Sequence, residues 1–130
     1  MNLNRRAVLA CAALSFFTVS GTRAANKVQF DAAAFKAARD SGKPVVLEIA
    51  ATWCGRCQKM KRIVSELVEK PDFKDVTIFE ADFDANKEEL QKIKAHHVTT
   101  LIVYRDKNEV QRTIGATEAE VIEPLLRKAL

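Results

Sequence analysis

The sequence predicts an α/β fold in which helices flank one central mixed sheet, in the order β-α-β-α-β-α-β-β-α. Three observations lead there. Residues 45–50, Val-Val-Leu-Glu-Ile-Ala, are an apolar run with one interruption, the pattern of a central parallel strand covered on both faces. Helix-period segments separate this run from the strands on either side, so those strands meet in parallel through helical crossovers. Near the end, two strand-like runs flank Arg105-Asp106-Lys107-Asn108, a hairpin signal that makes the last pair antiparallel.

Residues 1–24 are expected to be a removable signal peptide, leaving one domain over residues 25–130. Arg5 and Arg6 give a charged start, an apolar stretch follows from Ala7 to Val19, and Thr22-Arg23-Ala24 closes it with small residues where a signal peptidase reads. That stretch is too short to span a bilayer, so no stable membrane insertion is expected after cleavage. Asn4-Arg5-Arg6-Ala7-Val8-Leu9 also has the form of a twin-arginine export signal, although paired arginines occur in ordinary signals too. Cys11 follows only four apolar residues, too few for a lipoprotein signal, and belongs to the discarded segment.

Removing this segment changes the charge argument. The whole chain of 130 residues has 21 basic and 17 acidic side chains, a net +4. Three of the basic residues are arginines of the signal, so the domain is close to neutral. No basic stripe is left to neutralise phosphates, and nucleic acid is excluded as a partner. Of three cysteines, two remain, Cys54 and Cys57, both in one motif. Export to an oxidising compartment, most simply a bacterial periplasm, makes a working disulfide plausible.

The remaining elements follow in order. Lys27-Val28-Gln29-Phe30 is a short strand, and Asp31 can cap a helix over Ala32–Asp40, which Gly42 and Pro44 stop. A second helix is expected over residues 58–70, ended by Pro71, with Met60, Ile63, Val64, Leu67 and Val68 as its buried stripe. Residues 76–79 form the next strand and 86–95 a short helix. Thr117-Glu118-Ala119-Glu120 has the form of a capping box opening the last helix, where Pro124 implies a kink or a late start.

The chemistry centres on Thr52-Trp53-Cys54-Gly55-Arg56-Cys57. A C-x-x-C that closes a strand and opens a helix is a redox motif. Two intervening residues on a first helical turn bring the sulfurs within bonding distance. The first sulfur then meets unpaired amide N–H groups at the positive end of the helix dipole, which favours the thiolate. A static disulfide or half of a zinc site is the competing reading. A zinc site needs about four ligands, and a disulfide closing so short a loop adds little stability.

Trp53-Cys54-Gly55-Arg56-Cys57 resembles the active site of the thioredoxin family, with Arg56 where thioredoxins carry proline. The resemblance runs through the whole domain and implies a thioredoxin fold and thiol–disulfide oxidoreductase activity with no bound cofactor. It implies Cys54 as nucleophile and Cys57 as the resolving thiol. Partners would be protein thiol or disulfide substrates and a redox partner protein that resets the dithiol. Glu48 falls where thioredoxins keep a buried carboxylate beneath the second cysteine, implying proton exchange with Cys57; alternatively it is a structural Glu paired with Lys43 or Lys59. Trp53 would present an apolar contact to substrate or pack into the core. Arg56 would tune the couple by favouring the Cys54 thiolate, or point into screened solvent.

The main departure from the family lies at Val98-Thr99, the edge on which substrate would dock. Thr99 replaces the family's cis-proline. A non-proline cis bond costs about 2.5–4 kcal/mol, so a trans or visibly strained Val98–Thr99 peptide is expected, with a hydroxyl able to reach Cys54. His96 and His97 read as exposed cations at a helix end, or His97 joins the cysteines in a soft-metal site. The alternative functions are therefore a metal-binding or metal-delivery protein using Cys54, Cys57 and His97, and a non-catalytic thioredoxin-like binding module.

Overall fold

A computed structural model describes residues 24–130. The signal reading covers residues 1–24, of which only Ala24 is among the described residues. Five strands form one sheet, β1 (Asn26–Gln29), β2 (Val45–Ala50), β3 (Thr77–Asp82), β4 (Thr100–Arg105) and β5 (Asn108–Ile114), in the spatial order β1-β3-β2-β4-β5. The first three are parallel, and β4 and β5 add antiparallel to β2 and to each other. Helices α1 (Ala32–Asp40), α2 (Gly55–Leu67), α3 (Lys87–Lys92) and α4 (Ala119–Arg127) flank it. Among the described residues no helix is long and apolar enough to cross a membrane.

β2 is buried at every position, as a strand covered on both faces must be. Its alternating side chains enter two cores. Val46 joins Met60, Val64, Leu101 and Ile122 beneath α2 and α4. Leu47 and Ile49 join Phe35, Phe79 and Ile102 beneath α1 and α3. Phe35 stacks edge-on against Phe79 and Tyr104, with the Arg39 guanidinium 4.5 Å over the Tyr104 ring. Glu48, although on the first face, belongs to neither cluster.

Several local expectations are met through identifiable devices. Asp31 caps α1 by accepting from the Ala34 N–H at 2.8 Å. The β4–β5 hairpin turns through Asp106 and Lys107, whose φ values of +50° and +75° suit the tight reversal that matches strand twist. Others differ. α2 starts at Gly55, inside the motif, because the Cys54 sulfur itself serves as the cap. Pro71 begins a 3-10 turn through Phe73, a buried ring covered by Arg127. Thr117 does not cap α4: Glu118 is the N-cap residue, and the Thr117 hydroxyl donates to the Glu118 carboxylate at 2.9 Å. Pro124 lies within α4 without delaying its start.

Candidate active site

Cys54 sits in extended backbone (φ −95°, ψ 103°) at the last position before α2, where a helix has free N–H groups. Its Sγ accepts the Cys57 N–H at 3.2 Å, the contact that stabilises negative charge on this sulfur when the pair is reduced. Cys57 lies one turn on, with a Cα–Cα separation of 5.3 Å, and the two form a disulfide. Cys57 is fully buried, whereas Cys54 keeps 7% of its surface exposed. Access therefore singles out Cys54 as the sulfur that an outside thiol or disulfide reaches first.

Thr99 covers the pair from the opposite loop. Its Oγ1 lies 3.3 Å from Cys54 Sγ and 3.2 Å from Cys57 Sγ. Disulfide sulfurs carry no proton, so the hydroxyl is the donor. The Val98–Thr99 peptide is trans, and Thr99 itself has φ +52°. The left-handed region is unfavourable for a β-branched residue, by roughly 1–2 kcal/mol. The peptide is thus the trans alternative, and the strain lies in the φ of Thr99 and not in the peptide bond. The strained residue is tied down by the Gly115 N–H, which donates to its carbonyl at 2.7 Å. Val98 is half-buried and packs against the cysteine cluster.

Glu48 is 1% exposed, and neither carboxylate oxygen has a hydrogen-bond partner within the protein. Burial pushes its pKa up to about 7, against the pull of Lys27 and with a further push from the charge of Glu80. Glu80 lies directly across the β2–β3 ladder from it. Partial burial also raises Glu80, but Lys27 and Lys61, each 3.3 Å from its carboxylate, outweigh that and hold it below the usual range. The lysines near Glu48 are thus Lys27 and Lys61, not Lys43 or Lys59, and their direct bonds go to Glu80. A cleft of about 130 Å³ is lined by Glu48, Thr52, Gln58, Lys61 and Glu80, so Glu48 faces the turn of α2 just beyond Cys57.

Trp53 is 66% exposed, and its indole N–H donates to Asp84 Oδ2 at 2.8 Å, so it is a surface group beside Cys54 and not core packing. Arg56 is exposed, but its guanidinium is tied down on the surface, donating to the Gly115 carbonyl at 2.5 Å. His96 and His97 are both exposed. Among the described residues no three His, Cys, Asp or Glu side chains gather as metal ligands.

Asp84, Glu80 and Gly115 carry no site signal in the sequence. Asp84 and Gly115 lie in turns with ordinary turn composition, and Glu80 is a single charge in a strand that could as well face solvent. Only Gly115 left a trace, a glycine directly after the last strand, the sort of position that takes positive φ.

A protected cysteine pair that opens a helix, with one reachable sulfur and a hydroxyl over both, defines a thiol–disulfide oxidoreductase site. The comparisons assign it further. The thioredoxin family model matches residues 24–128. Thioredoxin H-type of Fagopyrum esculentum is 33% identical over 91 residues, covering 70% of this chain and 77% of that protein. Thioredoxin-2 of Saccharomyces cerevisiae is 32% identical over 79 residues, covering 61% of this chain and 74% of that protein. The crystal structure of Trxlp from Edwardsiella tarda superposes with a TM-score of 0.75 at 34% identity, covering 78% of this chain and 98% of that one. The chain belongs to the thioredoxin family, has its fold, and is a thiol–disulfide oxidoreductase.

Proposed function

We propose that this protein is exported, to the periplasm of a bacterium, and there exchanges disulfides with the cysteines of other proteins through the Cys54–Cys57 couple. The observation that carries the chemical part is Cys54 at the start of α2, 7% exposed where Cys57 is fully buried, with its sulfur accepting the Cys57 N–H. The paired arginines, apolar stretch and Ala24 of residues 1–24 support the export part.

In the reducing direction, the Cys54 thiolate attacks a substrate disulfide, forming a mixed disulfide and releasing one substrate thiolate. Cys57 then gives its proton to the ionised Glu48 carboxylate and attacks Cys54 Sγ. The Cys54–Cys57 disulfide forms, and the second substrate sulfur leaves and is protonated. Two electrons pass to the substrate. A carboxyl group with a pKa near 7 can both take and return a proton at neutral pH. The reverse sequence oxidises a substrate dithiol, and a partner protein returns the couple to its starting state. Trp53, Val98 and Thr99 form the rim on which the substrate chain lies beside Cys54.

Insulin reduction by dithiothreitol tests this reading. The wild type is expected to accelerate precipitation of the insulin B chain, and Cys54→Ser to fall to the uncatalysed rate. Equal rates for the two proteins would overturn it.

A further inference from the structure

Arg56 reaches across 59 positions of sequence to the turn between β5 and α4, where it donates to the Gly115 carbonyl. Gly115 is held on its other side as well, since its N–H donates to the Thr99 carbonyl at 2.7 Å. The fit is close. A Cβ on Gly115, which sits at φ +78°, would lie 3.0 Å from the Arg56 guanidinium. Thr99 is itself in left-handed backbone and places its hydroxyl over both sulfurs. These contacts close a ring from the motif helix through Arg56, Gly115 and Thr99 back to the cysteines.

We propose that Arg56 is a positioning residue: by clamping Gly115 it holds the Thr99 hydroxyl against the sulfur pair, and this hydroxyl makes the disulfide easier to reduce. The inference rests on the site being a redox couple, but not on turnover of any substrate. A residue in strained backbone keeps its geometry only where its surroundings enforce it, and the Gly115 bond is that enforcement. The hydroxyl has one proton to donate. Toward a disulfide, a weak acceptor, the bond is feeble; toward a thiolate it is charge-assisted and about twice as strong as a neutral one. The reduced state gains more, so removing either Arg56 or the hydroxyl makes the couple more reducing. The motif arginine thus acts mainly by geometry, not by its charge through space.

A double-mutant cycle separates the two. Wild type, Arg56→Ala, Thr99→Val and the double variant are equilibrated with reduced and oxidised glutathione at pH 7. The oxidised fraction is then read by mass spectrometry after alkylation. Valine keeps the β-branched shape and loses only the hydroxyl; Thr99→Ala serves if the valine variant does not fold by circular dichroism. The expected result is about a tenfold shift toward the disulfide for Arg56→Ala in the wild-type background, close to 30 mV for a two-electron couple, and less than twofold in the Thr99→Val background. Equal shifts in both backgrounds would show a through-space charge effect and overturn the clamp. No shift in the wild-type background would overturn it as well. Failure of the insulin assay with a tenfold coupled shift would count against the proposed function alone.

Discussion

Replacing Glu48 with glutamine removes the most strongly perturbed carboxyl near the cysteines, and the effect on stability can be worked out in advance. In the folded protein this group titrates near 7, against an ordinary value of 4.5. The folded state therefore holds the proton more tightly than the unfolded chain does. The stabilisation from the protonated carboxyl is fully present below about pH 4.5 and is lost as the pH rises through about 7. Integrated between pH 5 and pH 8, the loss comes to about 2.5 kcal/mol. Glutamine has the same shape and no titration. Urea unfolding of the oxidised proteins at pH 5, 6, 7 and 8 should thus show wild type weakening relative to Glu48→Gln by about 2–3 kcal/mol over that range. Other titrating groups are common to both proteins and cancel in the difference. A difference that stays flat with pH would show that Glu48 is not buried in the way described. One that grows as the pH falls would mean that a lysine pairs with it directly.

Glu80→Gln should move that window to lower pH, because it removes a like charge facing Glu48 and frees Lys27 and Lys61 to attract it; the same urea series reads the shift. Cys57→Ser leaves the attacking sulfur in place and removes the resolving one, so mixed disulfides on Cys54 should accumulate and appear on non-reducing gels. Phe35→Ala empties the aromatic cluster beneath α1 and should cost about 3–5 kcal/mol in urea unfolding while leaving the cysteine potential unchanged. Asp84→Ala removes the acceptor of the exposed indole and should change stability by no more than about 1 kcal/mol.

What could be read from the chain was whatever depends on near neighbours in sequence. An apolar run with a single charged interruption has the pattern of an inner strand, so β2 is plain, and Glu48 stands out because it is that interruption. The C-x-x-C motif carries its own geometry, and the hairpin announced itself at Asp106-Lys107. The α2 boundary was misplaced because sulfur is not among the usual capping groups. At the last helix the threonine of the apparent capping box bonds sideways to Glu118, which hydrogen-bond geometry decides and residue order does not. The partners of the site were hidden for a different reason. Glu80 faces Glu48 only once β2 and β3 are in register, Asp84 meets Trp53 over 31 positions, and Gly115 meets Arg56 over 59. Such pairs belong to the folded topology and leave no periodic signal.

Trp53 is the only tryptophan in the chain and the immediate neighbour of Cys54. Disulfides quench indole emission at short range by accepting an electron from the excited ring, and thiols do so less. The domain therefore contains its own optical reporter: opening the Cys54–Cys57 bond should brighten it, and closing the bond should dim it. Each half-reaction can be followed in a stopped-flow cuvette with no label attached.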